Sequence, residues 1–205
     1  MFNRPNKNDD EDSEMIRTIN SGRKDLFHVL VDRYSRRLYN FGLKMCKDVQ
    51  DAEDMVQDTF INVFRYLKDF RFETKFRNWL YRIAVSSCIK KKRRSKFAPE
   101  QELSLEEFVT GEPPTDPDGL PFWAAQPLDT ILNQELGETL RKAILKLPKK
   151  YRMVLVLRDI EGFSTIEAAD ILNLSTANIK VRLHRARLFL REELKGYFKD
   201  EQNQA

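Results

Sequence analysis

Between Ser164 and Arg187 the chain reads STIEAADILNLSTANIKVRLHRAR, with Lys180, Arg182, Arg185 and Arg187 interleaved among apolar residues at helical spacing. The chemistry available is recognition of duplex DNA. Arg185 can donate two hydrogen bonds to guanine O6 and N7, Val181 can meet a thymine methyl, and Lys180, Arg182 and Arg187 can hold phosphates. These side chains need a platform. Ser164 and Glu167 form a capping-box pattern that starts one helix, in which Ile166, Ala169 and Leu172 are expected to face inward. Asn173 and Leu174 make a turn, and Ser175 caps a second helix whose Ile179, Leu183, Ala186 and Leu190 form one apolar stripe. The opposite face carries Ala177, Val181, His184 and Arg185, with Thr176 and Asn178 at its start. An ordinary amphipathic hairpin with a solvated basic face is the alternative for the same residues.

Catalytic chemistry finds little to work with. His28 and His184 are the only histidines, and there is no Walker sequence, nucleophile elbow or metal-ligand cluster. No enzymatic activity, cofactor or metal is expected. Cys46 and Cys88 are too few for a disulfide framework and are read as reduced, buried thiols of a cytoplasmic protein. The polar start, MFNRPNKNDDEDSE, has no signal-peptide core, and no apolar run suits direct membrane insertion.

Charge is unevenly distributed along the 205 residues, although the formal net charge is only +4. From Thr74 to Phe97 there are nine Lys or Arg residues and no acid; from Ala98 to Leu140 there are ten acids and no base. From Arg141 to Lys199 fourteen bases face six acids, so two basic blocks flank an acidic one. That arrangement implies two separate contacts with a polyanion. The apolar periodicity is helical throughout, giving an all-α class with two small helical domains. Residues 1–14 are expected to be disordered, 15–97 to form one domain, and 128–199 to form a second that holds the helix-turn-helix. The acidic segment 98–127 collects six of the eight prolines and reads as a flexible linker, with Phe122 and Trp123 as candidate anchors.

Two constellations lie in the first domain. In DAEDMVQDTFINVFRYLKDF, residues Ala52, Met55, Val56, Phe60, Val63 and Leu67 make a core stripe, while Asp51, Asp54, Asp58, Asn62 and Ile61 lie opposite. A carboxylate row with one exposed aliphatic suits docking on a basic protein surface; a merely solvated face is the alternative. The following segment, FRFETKFRNWLYRIAVSSCIKKKRR, mixes aromatics with cations, which suits single-stranded nucleic acid. Phe76, Leu80, Ile83 and Ser87 share an inward stripe bordered by Trp79, leaving Phe70, Phe72 and Thr74 as candidates to meet a base.

In order, the DAED and VQDTF helix, FRNWLYRIAV, the acidic linker, LPKKYRMVLVLRDIEGFSTIEAADIL and the basic helix resemble a bacterial sigma factor of the extracytoplasmic-function (ECF) group of the sigma-70 family, over about residues 15 to 195. The resemblance implies a subunit that binds core RNA polymerase, through the β′ clamp and the β subunit, and directs it to promoter DNA. It implies a region 2-like domain at 15–97, with Asp51, Asp54, Gln57, Asp58, Ile61 and Asn62 as polymerase contacts. It implies that the loop from Phe70 to Phe76 captures a flipped base of the minus-10 element and that the next helix lies along that element. The minus-10 set is then Phe70, Phe72, Thr74, Lys75, Arg77, Asn78, Arg82, Ser86 and Lys90. A region 4-like domain at 128–199 would read minus-35 duplex with Thr176, Asn178, Lys180, Val181, Arg182, His184, Arg185 and Arg187. The linker would thread the polymerase cleft, and an anti-sigma factor is a further implied partner. Ser86, Ala177, Asn178 and Val181 depart from common family residues on these DNA-facing surfaces, leaving the preferred promoter sequence open.

The rival is a stand-alone helix-turn-helix regulator with an N-terminal sensing module. It leaves the acidic docking helix and the second basic-aromatic block without a role.

Overall fold

The computed structural model describes residues 7–46, 48–94 and 134–202, and no strand occurs among them. The all-α expectation holds; the linker, with Phe122 and Trp123, lies outside the described residues. The chain divides into two compact units, Met1–Ala98 and Pro99–Ala205.

The first unit contains α1 (Lys7–Asn20), α2 (Phe27–Met45), α3 (Val49–Tyr66) and α4 (Phe76–Arg94). Its beginning corrects the sequence reading, since the stretch expected to be disordered is helical from Lys7. The reason is a spaced inward stripe of Asp12, Ile16 and Ile19, all buried. The fully buried Asp12 carboxylate accepts from Arg33 at 2.5 Å and from the Tyr34 hydroxyl, so its charge is matched rather than stranded. Helix α1 stops at Asn20, and Gly22, at φ +128°, turns the chain into α2.

Helices α2 and α3 approach closely at Gly42. A Cβ there would meet Ala52 Cβ at 3.1 Å, Ala52 Cα at 3.2 Å and Met55 Cε at 2.7 Å. The α3 stripe is buried much as its periodicity requires, at Ala52, Met55, Phe60, Val63 and Leu67. Thr59 joins it because its hydroxyl donates to the Met55 carbonyl at 2.7 Å, which removes the cost of burying an unpaired polar group. Phe41, Phe76 and Tyr81 fill the centre, each essentially without exposure. Each apolar side chain of this kind contributes about 1.5 to 3 kcal/mol.

The second unit contains α5 (Gln134–Lys146), α6 (Lys149–Leu155), a π turn over Val156–Ile160, α7 (Thr165–Leu172) and α8 (Thr176–Gln202). Pro148 stands at the start of α6, where its fixed φ and missing N–H cost nothing. Arg152 is buried and folds back, donating to the carbonyls of Leu145 at 2.6 Å and Leu147 at 2.8 Å. It thereby satisfies acceptors that the end of α5 leaves open.

Ile166 is a second correction. It is 73% exposed, whereas α7 buries Ala168, Ala169 and Ile171. Steps of three residues drift by about 60° on an α-helix, so residues 166, 169 and 172 do not share one line. The two alanines occupy the inward side.

Candidate nucleic-acid and protein interfaces

The helix-turn-helix is built as its caps predict. Ser164 Oγ accepts from the Glu167 N–H at 3.2 Å, and Glu167 Oε2 accepts from the Ser164 N–H at 2.9 Å. Asn173 takes the left-handed conformation at φ 53°, and the Leu174 N–H returns to the Ala169 carbonyl at 2.9 Å. Ser175 Oγ then accepts from the Asn178 N–H at 3.2 Å, which starts α8. The stripe Ile179, Leu183, Ala186 and Leu190 is at most 1% exposed, and Phe189 and Leu194 extend it. Thr176, Ala177, Asn178 and Lys180 are exposed, while Val181, Arg182, His184 and Arg185 are half-buried beside them. Burial first, then the neighbouring Arg187 and Arg185, hold the His184 imidazolium below its ordinary pKa, so neutral imidazole is favoured.

Arg187 does not join this set. Its Nε and Nη2 donate to Asp159 Oδ2 and Oδ1 at 2.9 and 2.8 Å, and its side chain is only 17% exposed. This corrects its expected phosphate role. The partner is supplied by the π turn, in which the Glu161 N–H bonds the Val156 carbonyl at 2.9 Å, five residues back. Such turns re-aim side chains within a helix.

In the first unit, α3 carries its acidic residues opposite the buried stripe, with Asp51 and Asn62 half-buried. Asp48 caps the helix by accepting from the Asp51 N–H at 2.7 Å. Gln57 and Asp58 are exposed, Ile61 is 56% exposed, and Asp54 is half-buried with Gln50 donating to it at 3.1 Å. Asn62 Nδ2 donates to the Asp58 carbonyl at 2.7 Å. Phe64, missing from the sequence-based set, adds a second apolar residue at 49% exposure, resting edge-on against Phe27 with centroids 5.0 Å apart. Its position three residues beyond Ile61 was the available signal.

The aromatic-basic segment divides differently from the expectation. Phe70 is buried, its ring 5.2 Å from Trp79 and 5.9 Å from Phe76, so it builds the floor of the loop instead of meeting a base. Aromatic pairs of this kind contribute about 0.5 to 1.5 kcal/mol each beyond their area burial. Phe72 lies above, half-exposed, with its centroid 4.8 Å from that of Phe70 and φ at +59°. Thr74 and Lys75 are half-exposed.

Lys75, just before α4, and Trp79, Arg82, Ser86 and Ile89 along it share one outward side at helical spacing, the last three being exposed. Trp79 and Ile89 were not among the expected contacts. Asn78 is buried at 6% exposure, which removes it from that surface. Arg77 lies over the buried Tyr81 ring at 5.7 Å on another side of the helix, so it is not brought to the surface formed by Arg82 and Ser86. The side chain of Lys90 lies outside the described residues.

Neither cysteine is in a disulfide; Cys88 is buried and Cys46 partly so. Among the described residues no acid, His and Cys grouping could hold a metal ion, and no helix is long and apolar enough to cross a membrane.

Comparison with known proteins assigns the two units. Residues 30–97 match the model for sigma-70 region 2, and residues 137–190 match that for sigma-70 region 4. The chain is 35% identical over 182 residues to the ECF RNA polymerase sigma factor SigW of Bacillus subtilis, covering 88% of this chain and 95% of the relative. It is 28% identical to the RNA polymerase sigma-H factor of Pseudomonas aeruginosa, covering 87% and 91% respectively. Among solved structures it is similar to CnrH in complex with the cytosolic domain of CnrY, with a TM-score of 0.61 and 25% identity over 89% of this chain and 96% of the other. The chain belongs to the ECF group of RNA polymerase sigma factors.

Proposed function

We propose that this sigma factor binds core RNA polymerase through α3 and reads a promoter at two places. Asp51, Asp54, Gln57, Asp58, Asn62, Ile61 and Phe64 form the docking face toward the β′ clamp, with a further contact on the β subunit. Phe72 and Thr74 meet an unstacked minus-10 base, and Lys75, Arg82, Ser86 and Lys90 follow its strand. Thr176, Asn178, Lys180, Val181, Arg182, His184 and Arg185 face the minus-35 major groove. The observation that carries the reading is the division of α8 into a dry stripe and an outward basic side immediately after a capped, left-handed turn.

Promoter melting is then a binding reaction. Extruding a base costs a few kcal/mol, and a site that accepts it offsets part of that cost while adding sequence information. Nucleotide addition belongs to the polymerase, and the sigma subunit needs no catalytic group of its own. Its place of action is the cytoplasm, with polymerase and promoter. A sequestering anti-sigma factor is the further partner, a reading supported by the solved complex of the similar CnrH with a domain of CnrY. Binding of the isolated protein to core polymerase tests the proposal. Tight, sequence-specific duplex binding without polymerase contradicts it and favours a stand-alone regulator.

A further inference from the structure

Helix α1 brings a cation onto the loop that precedes α4. Arg17 is exposed, and its Cζ lies 4.9 Å from the centroid of the Phe72 ring. The helix holding it is fixed at several points. Ile16 and Ile19 are buried, Asp12 is tied to Arg33 and Tyr34, and Asn20 Nδ2 donates at 3.2 Å to the Leu67 carbonyl, just before the loop.

Phe72 itself has φ at +59°, a region a bulky residue occupies only when its surroundings over-determine it. Phe70 and Arg17 both contact its ring. A guanidinium stacked on a ring uses its face for the contact, and its N–H donors, which lie around its edge, remain available to an anion. On the loop itself Arg71 is exposed and Lys75 half-exposed against one exposed carboxylate, Glu73, while Asp69 is exposed just before the loop and Glu14 one turn before Arg17 on α1.

We propose that Arg17 is a nucleic-acid contact of this site, bonding a backbone phosphate of the single strand whose base meets Phe72 while it stays stacked on that ring. The inference rests on reading the loop as the minus-10 strand site. It extends that site to a helix outside the residues 30–97 matched to sigma-70 region 2. Aromatic platform and backbone-tracking cation are the two halves of single-strand recognition, and here they touch.

The test titrates full-length protein bound to core polymerase against a single-stranded non-template minus-10 oligonucleotide over a range of salt. R17Q is expected to weaken binding roughly tenfold, the loss of one charge-assisted hydrogen bond. It should also flatten the slope of log K against log salt by about 0.7, one phosphate's worth on a single strand. R17K, which keeps the charge, retains the slope. Helical circular dichroism and core binding by R17Q verify that the fold is intact. An unchanged slope for R17Q overturns the proposal, whether or not affinity falls. If the wild-type holoenzyme itself ignores the oligonucleotide, the loop reading falls and this one with it; wild-type binding with an unaltered R17Q slope removes only Arg17.

Discussion

Arg187 on α8 grips Asp159 of the π turn with two parallel hydrogen bonds of 2.9 and 2.8 Å, and the Asp159 side chain is only 3% exposed. Two residues earlier on the same helix, Arg185 sits half-buried beside the outward side. The two arginines are therefore held differently: Arg187 locks α8 to the segment before α7, and Arg185 is left on the side of the helix proposed to face DNA.

Arg187→Ala leaves the Asp159 carboxylate buried without its bidentate partner. A loss of about 3 to 5 kcal/mol in stability is expected, as for breaking one side of a buried pair. Chemical denaturation measures it. A wild-type midpoint for R187A together with weakened DNA binding would return Arg187 to a phosphate role.

Arg185→Ala should leave that midpoint unchanged. Its expected effect is a loss of about 1 to 3 kcal/mol at particular minus-35 bases, read by transcription from a set of single-base promoter variants. Equal losses at every variant would mean that Arg185 only holds phosphate.

Reversing Asp54 and Asp58 to Lys is expected to abolish binding to core polymerase while the helical circular dichroism persists. Both carboxylates lie away from the buried stripe of α3. Normal polymerase binding by the folded double variant would remove this face from the account.

Gly42→Val should destabilise the first unit by about 1 to 3 kcal/mol, because the added carbons meet Ala52 backbone at 3.2 Å as well as the flexible end of Met55. Thermal denaturation checks this. An unaltered melting temperature would mean that α2 and α3 separate at little cost.

His184 links stability to pH. Its folded pKa is lowered from 6.5, first by burial and then by Arg187 and Arg185, so below about 6.5 the unfolded chain takes up the proton more readily than the folded one. Stability from this group is therefore full above about pH 6.5 and declines as pH falls toward the lowered folded value. The wild type should lose more stability than His184→Gln across that interval. Parallel pH profiles for the two proteins would contradict the assignment.

Much of this was legible where a pattern was long. The α8 stripe repeats over four positions and is buried as spaced, and the capping box and Ser175 cap form as their residue types dictate. Short or coupled features were not. Helix α7 has barely two turns, so Ile166 could be placed on the wrong side. The N-terminal charges concealed the Asp12, Ile16 and Ile19 stripe, whose spacing of four and three was present all along. Asp159 meets Arg187 from within a π turn, whose extra residue per turn α-helical spacing cannot register. Phe70 is buried against Phe72, Phe76 and Trp79, whose mixture with cations reads equally well as a surface platform, and Asn78 is buried although its residue type suits an exposed position.

The central claim is most directly tested by transcription in vitro with core RNA polymerase, the full-length protein and a pool of randomised promoter sequences. The account predicts initiation that depends on the protein and selects bases at two separated elements, one melted and one duplex. Initiation without selection, or selection confined to a single duplex element and independent of core polymerase, would contradict it.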